Sequence, residues 1–205
     1  MINLLSGMEF YTTIEQGAQA EYKDRGSKFI AYAYPVNSAE DFKKYLLKLK
    51  KEHPKAVHHC FAYRLGLDGN QFRVSDDGEP SGTAGKPIMG QLDSKGLTNV
   101  CIIVVRYFGG TLLGVPGLIN AYKTAASLVL QVVPLVQKPV IKVFTLHFDY
   151  TQMNEIMIIL KQLQAEIIKQ ETQLFCNIQV AIPLSRVEEM IYRIKNLRNV
   201  EITGL

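Results

Sequence analysis

Two glycine-rich segments carry most of the residues in this chain that could do chemistry. The first glycine loop, residues 74–87, reads VSDDGEPSGTAGKP, and the second glycine loop, residues 106–118, reads RYFGGTLLGVPGL. Glycines leave backbone N–H groups free to point at an anion, and a helix expected to begin at Pro116 would add its positive end. The pattern predicts a site for a phosphate-bearing partner. Its candidate ligands in and beside both loops are Arg64, Arg73, Ser81, Thr83, Lys86, Arg106, Tyr107, Gly109, Gly110 and Lys123.

An acidic cluster in the first glycine loop raises the question of a metal. Asp76, Asp77 and Glu79 could hold Mg²⁺ through carboxylates and waters while a phosphate lies on Lys86. The alternative is an exposed turn whose carboxylates bind its own backbone. We expect no other cofactor. His58 and Cys60 share one face of a predicted strand, but two ligands without a further pair nearby do not make a zinc site.

Neither nucleotide motif is present. A Walker A loop would need glycine at Pro80 and serine or threonine at Pro87. The glycines of the second loop do not have the spacing of a dinucleotide fingerprint. No nucleophile lies next to a base, so Ser81 or Thr83 would meet His58 only if the fold assembled them. The residues specify no reaction, and binding is favoured over catalysis.

The elements that must position these residues are predicted by periodicity. Residues 1–135 are expected to form a first α+β unit, in which residues 57–65 and 71–75 form a hairpin across Asp68-Gly69. The alternation is interpreted as placing His58, Cys60, Ala62 and Arg64 on one face together with Arg73. Further elements are expected as strands at 20–23, 28–35 and 100–107, a helix capped by Ser38, a short helix from Pro87 and a buried helix at 118–132.

Residues 139–205 are expected to form a second unit. Its order is strand, helix, strand, strand, helix, strand, which is typical of the split-βαβ, ferredoxin-like arrangement. The hairpin is expected to turn at Glu171-Thr172, and Ser185 is expected to cap the last helix.

Composition places the chain among folded globular proteins. It is 47% hydrophobic and 20% charged, with a formal net charge of +4, which permits a nucleic-acid partner without requiring one. The three cysteines are far apart and are interpreted as buried thiols. The opening MINLLSGMEF lacks a basic n-region, and no window approaches a membrane span, so we expect a cytoplasmic protein without a membrane partner.

Several motifs resemble a known family. The segments AVHHCFAYRLG, SDDGEPSGTAGKPI, NVCIIVVRYFGGTLLG and GLINAYKTAA are similar to the N-terminal signature of the Impact/YigZ family, and the second unit resembles its small C-terminal domain. The resemblance implies a two-domain α+β protein. Its N-terminal fold would be similar to domain IV of elongation factor G and to a ribosomal-protein domain, and its C-terminal fold to domain V of that factor.

The resemblance also carries expectations about function. It implies that eukaryotic members engage the scaffold that activates an initiation-factor kinase and thereby regulate translation. The signature maps onto His58, Arg64, residues 76–86 and 106–110, and Gly114. This chain has Leu112 and Asn120 where the family pattern has basic residues, and both changes remove charge that would face phosphate.

Three classes of function are left open. The first is a translation-associated regulatory binding protein that contacts RNA, the ribosome or a translation factor through a cleft of glycine loops and arginines. The second is a protein-binding regulator without nucleic acid. The third is an enzyme acting on a phosphorylated small molecule.

Overall fold

The computed structural model describes residues 8–204. Residues 1–7, which make up most of the opening segment MINLLSGMEF, therefore lie outside the described residues. The chain divides into two compact units, whose main segments are Tyr11–Lys138 and Pro139–Leu205. Both units mix helices and strands, which confirms the predicted α+β class.

Seven strands and three helices make up the first part of the fold. In chain order they are β1 (Phe10–Ile14), β2 (Ala18–Asp24), β3 (Ser27–Pro35), α1 (Ala39–Glu52), β4 (His58–Leu65), β5 (Gln71–Ser75), α2 (Gly85–Ser94), β6 (Val100–Tyr107), α3 (Gly114–Val132) and β7 (Leu135–Pro139). Strands β1 and β7 pair with each other in a small separate sheet. Neither strand was expected from the sequence, because each is short and half polar, and β7 lies at the boundary between the two predicted units.

The main sheet is antiparallel and has β6 at its centre. Its order is β2-β3-β6-β4-β5, so β6 joins two hairpins that come earlier in the chain. Helices α2 and α3 cover one face, where Ile102 and Val104 are fully buried, and α1 covers the other, where Ile103 and Val105 are buried. A strand buried on both faces must be apolar throughout, as the run from Cys101 to Val105 is.

Local signals placed α1 correctly. The Ser38 hydroxyl accepts the Asp41 backbone N–H at 3.1 Å, which confirms the predicted cap. Phe42 and Leu49, seven residues apart, are buried against the sheet, as the helical period requires.

The second unit has the predicted βαββαβ order. Its elements are β8 (Ile141–Asp149), α4 (Met153–Gln162), β9 (Glu166–Thr172), β10 (Phe175–Pro183), α5 (Val187–Lys195) and β11 (Val200–Thr203). The sheet order is β11-β8-β10-β9, with all neighbours antiparallel.

Two details of the second unit differ from expectation. A 3-10 turn, Leu184–Arg186, precedes α5, and no side chain caps that helix, so the prediction of a Ser185 cap is wrong. The β9–β10 turn falls at residues 173–174 rather than at Glu171-Thr172, because β9 continues through Thr172 and β10 begins at Phe175. Across residues 8–204, no helix combines the length and the apolar character needed to cross a membrane.

Candidate functional site

The first glycine loop folds around the carboxylate of Asp76. Its Oδ1 accepts the backbone N–H groups of Ala84 and Gly85 at 2.9 and 2.8 Å, and its Oδ2 accepts that of Gly82 at 2.8 Å. Partial burial raises the pKa of Asp76, but these backbone donors outweigh it and hold the pKa below its usual value. The carboxylate thus occupies the N-terminus of α2 and binds backbone N–H groups of the first glycine loop, which were expected from the sequence to be free for a phosphate.

Glu79 and Arg106 form a buried ion pair between this loop and the end of β6. Arg106 Nη1 donates to Glu79 Oε1 at 2.6 Å, and both side chains are more than nine-tenths buried. The Tyr122 hydroxyl donates to the same oxygen at 2.6 Å, and His58 Nε2 lies 3.8 Å from it. The charge of Arg106 is therefore balanced inside the protein.

Aromatic rings enclose the same guanidinium. Its central carbon lies 5.4 Å from the ring centre of Phe29 and 5.8 Å from that of Phe108, within the range of cation–π attraction. The Arg106 Nε is buried without a hydrogen-bond partner among the described residues. Arg106 is held as part of the packed interior.

Cys60 and Tyr122 complete this polar cluster. The Cys60 thiol lies 3.0 Å from the Asp76 carbonyl oxygen and 3.3 Å from the Tyr122 hydroxyl. Burial raises the pKa of both the thiol and the phenol. Since the thiolate is the reactive form, Cys60 is inert at neutral pH, in agreement with its interpretation as a buried thiol.

The acidic side chains of the first loop do not converge on a metal. Asp77 Oδ2 accepts the His59 backbone N–H at 2.7 Å. Asp76 and Glu79 accept the hydrogen bonds described above from the loop backbone, Arg106 and Tyr122. Within the part of the chain that the structure describes, no group of three or more His, Cys, Asp or Glu side chains could hold a metal ion. The magnesium hypothesis gains no support from this geometry.

The three arginines predicted to contact phosphate lie in different places. Arg64 is paired with Val100 and Arg106 with His58 in the β4–β6 register, so they stand six residues apart along β6, about 20 Å at the rise of a strand. Arg64 Nη2 pairs with Asp93 of α2. These side chains do not line a common cleft.

Arg73 lies on the opposite face of the sheet from Arg64. It is the register partner of Tyr63, and its guanidinium lies 6.0 Å from the ring centre of Phe61, on the α1 side. The interpretation that placed Arg73 beside His58 and Arg64 is therefore wrong. The turn sets a register that puts Phe72, not Arg73, opposite Arg64.

The remaining predicted ligands divide between the interior and the surface. The Thr83 hydroxyl is buried and donates to the Pro80 carbonyl at 2.7 Å. The Tyr107 hydroxyl lies 2.9 Å from His53 Nδ1 on the α1 side of the sheet. Together with Arg73, the predicted ligands left facing solvent are Ser81, Lys86, Gly109, Gly110 and Lys123.

The base of the second glycine loop is packed against the β2–β3 turn. A Cβ on Gly109 would lie 1.9 Å from the carbonyl carbon of Gly26, so only glycine allows this approach. The Gly109 N–H donates to Ser27 Oγ at 3.2 Å. Helix α3 then begins at Gly114, two residues before the predicted Pro116, and no side chain caps it.

Beyond Gly109, the second loop and the start of α3 expose apolar side chains. We call these residues the loop–helix patch: Phe108 is 49% exposed, Leu112 81%, Val115 51% and Ile119 39%. The last three recur at three- and four-residue spacing on one side of the helix start, while Leu118 and Tyr122 face the core. This patch was not expected from the sequence, because α3 is apolar on two sides and periodicity alone does not tell which side is covered.

The patch lies in a segment without negative charge. Residues 94–138 contain no Asp or Glu. Lys123, one helical turn beyond Ile119, is exposed, as is Arg25 in the turn packed against Gly109. The patch is therefore apolar with cations beside it.

Comparison with known proteins places this arrangement in a family. The model of the Impact N-terminal domain matches residues 25–130, which include both glycine loops and most of α3. The chain belongs to the Impact family. A relative named IMPACT family member YigZ, from Escherichia coli, is 38% identical over 80% of this chain and 81% of its own length.

Other Impact family proteins extend the comparison. Protein IMPACT of Rattus norvegicus is 35% identical over 46% of this chain and 31% of its own length, so the likeness covers about a third of that protein. A crystal structure of a hypothetical protein matches with a TM-score of 0.77 and 32% identity, over 97% of this chain and 98% of the other. This Impact family chain thus resembles a solved structure along nearly its whole length.

Proposed function

We propose that this Impact family protein is a translation-associated regulatory binding protein whose first unit docks on a protein of the translation machinery through the loop–helix patch. The observation that carries the proposal is the exposure of four apolar side chains, from Phe108 to Ile119, on the second glycine loop and the start of α3, next to a loop base that packs closely at Gly109. Contiguous exposed apolar surface is typical of interaction sites.

The chemistry of the patch favours a protein partner. Aromatic and large aliphatic side chains on a preorganised surface lose little conformational freedom on binding and gain from burial. Exposed Lys123 and Arg25 beside an acid-free segment favour a partner whose contact surface is apolar and carries carboxylates. A ribosomal protein or a translation factor fits this description.

Family membership supports the link to translation. The resemblance implies that eukaryotic members act on the scaffold of an initiation-factor kinase, through protein contacts. The rat relative matches this chain over about 100 residues. The proposal extends a regulatory role of that kind to this chain.

Recognition of RNA through an arginine cleft has less support. Arg106 is neutralised by Glu79 and Arg64 by Asp93, and Asp76 occupies the anion position at α2. Arg73, Lys86 and Lys123 are the predicted cationic ligands left facing solvent, and Arg73 lies on the α1 side of the sheet. An RNA contact made by them would be weak and strongly dependent on salt.

The test is binding of the full chain to purified ribosomes, to a panel of purified initiation and elongation factors, and to single-stranded RNA, across a salt series. We expect binding to a ribosome or a factor that changes little with salt and weakens about tenfold or more in Leu112→Ser and Ile119→Ser. Leu47→Ser is the matched control, since Leu47 is 60% exposed on α1, outside the loop–helix patch.

Two outcomes would contradict the proposal. Binding that falls steeply with salt, resists Leu112→Ser and is lost in an Arg73→Ala, Lys86→Ala, Lys123→Ala triple variant would establish RNA as the partner. Absence of binding to ribosomes and to every factor at low salt would remove the translation machinery as the partner.

A further inference from the structure

The second unit has an open sheet edge. Strand β9 lies at the end of the order β11-β8-β10-β9, so it pairs on one side only among the described residues. All seven of its residues, Glu166–Thr172, are exposed. A strand edge of this length presents a row of backbone donors and acceptors that an extended peptide can match.

An apolar groove runs beside that edge, between β9 and α4. Its floor includes Leu160 and Ala165, and its rim carries Met157, Ile158 and Ile167. Ile158 is 57% exposed and Ile167 37% exposed, so the rim is apolar and open to solvent.

An extra residue in β9 turns Ile167 toward this groove. Lys169 is the register partner of Gln179, but Ile167 is the partner of Val180, so Ile168 is unmatched. Val180 is buried on the helix side of the sheet, and Ile167 is carried to the same side. Bulges are known to re-aim a side chain in this way.

One charged side chain lines the groove. Lys161, in the last turn of α4, is exposed and forms no salt bridge with any residue from 8 to 204. By contrast, Lys169 on β9 pairs with Glu171 at 2.6 Å. A carboxylate on a molecule bound in the groove would form an ion pair with Lys161.

We propose that the β9 edge and its groove bind an extended peptide segment of a protein partner as an added strand. Two apolar side chains of the peptide, two residues apart, lie against Met157, Ile158 and Ile167, and a carboxylate pairs with Lys161. A second copy of the chain fits less well. Beyond Ile167, the helix-side residues of its β9 are Gln170 and Thr172, which would bring an amide and a hydroxyl into the apolar groove. The proposal does not depend on the loop–helix patch.

The test starts with selection of a random twelve-residue phage-displayed peptide library on the full chain. We expect enriched sequences with β-branched or aliphatic residues at alternate positions and an Asp or Glu near them. The best peptide, synthesised with capped ends, is then titrated into the full chain and followed by backbone amide chemical shifts. The shifts are expected in β9 and α4.

Matched variants test the contacts. Ile158→Lys should weaken the peptide about tenfold or more, and Lys161→Glu by a smaller factor that shrinks with salt. Tyr192→Lys should not weaken it, because Tyr192 is 72% exposed on α5 outside the groove. Two further peptides, one N-methylated at its odd-numbered residues and one at its even-numbered residues, test the backbone pairing. Only one of the two should lose binding, since an added strand uses every second N–H of the peptide.

Three results would overturn the proposal. These are a selection that enriches no sequence pattern, a peptide whose affinity is unaffected by Ile158→Lys, and tolerance of both N-methylated peptides. A dimer in sedimentation that Ile158→Lys abolishes would assign the edge to a second copy instead.

Discussion

The two glycine loops look alike in sequence and do opposite things in the fold. In the first, the polar groups turn inward: Asp76 caps α2, and Glu79 holds Arg106 and Tyr122. In the second, the glycines allow a close backbone approach at Gly109, and the side chains after it face outward. Glycine-rich composition therefore predicts an unusual backbone path, but it does not say whether the path builds the interior or presents a surface.

The largest effect is expected when the buried carboxylate of Glu79 in the first loop is removed. Glu79→Ala should lower the free energy of unfolding by about 3–5 kcal/mol, because it leaves the Arg106 charge buried and unpaired. Urea unfolding followed by tyrosine fluorescence measures it, since the chain has 10 Tyr and no Trp. Glu21→Ala is the control: its carboxylate bridges Lys23 and Lys28 at the surface, and we expect almost no change. Equal effects of the two variants would mean that the first loop is not an interior element.

The base of the second loop should also be intolerant of change. Gly109→Ala puts a methyl group into the backbone of the β2–β3 turn, and we expect a loss of about 1–3 kcal/mol in unfolding free energy. Gly90→Ala, in α2 with open space around the added carbon, should be neutral or slightly stabilising. A Gly109→Ala protein as stable as Gly90→Ala would show that the loop has no fixed base.

Asp76→Asn tests the internal cap with a smaller and pH-dependent effect. The amide keeps one acceptor oxygen but turns a donor toward one of the backbone N–H groups, so we expect a loss of about 1 kcal/mol at neutral pH. The folded protein holds the pKa of Asp76 below its unfolded value, so the carboxylate stabilises the fold above about pH 4 and that stabilisation disappears as pH falls through the folded pKa.

The check is a series of urea unfolding curves at stepped pH. The gap between wild type and Asp76→Asn should be widest at neutral pH and close on acidification. A gap that stays constant down to pH 3 would exclude the carboxylate charge as its cause.

The smallest effect on stability is expected at the exposed end of the second loop. Leu112→Ser should change the unfolding free energy by less than about 0.5 kcal/mol, because Leu112 is 81% exposed. The same variant should lose partner binding as described above. A substantial loss of stability would make Leu112 part of the fold rather than part of a contact surface.

Prediction from sequence succeeded where the signal is local. The cap at Ser38 and the two-sided burial of β6 follow from neighbouring residues and from composition. The βαββαβ order of the second unit was likewise readable from alternating periods. Strands β1 and β7 were missed because neither has an apolar pattern of its own.

The candidate site was harder to predict, because its contacts join distant parts of the chain. Glu79 meets Arg106 and Tyr122 only because β6 enters the sheet beside β4 and α3 returns over it. The face of Arg73 depends on the hairpin register, where one residue reverses every side chain. A single sequence does not contain the strand order or that register.

The central position of β6 has a consequence for synthesis. The β2–β3 and β4–β5 hairpins are translated first, but they do not pair with each other in the folded sheet. Each pairs with β6, residues 100–107, which lies between them. Until β6 is translated, a growing chain carries two half-sheets with open inner edges, β3 and β4, which are the surfaces most prone to wrong pairing. Nascent chains that stop before β6 should therefore depend on chaperones, and completion of this one strand should release them.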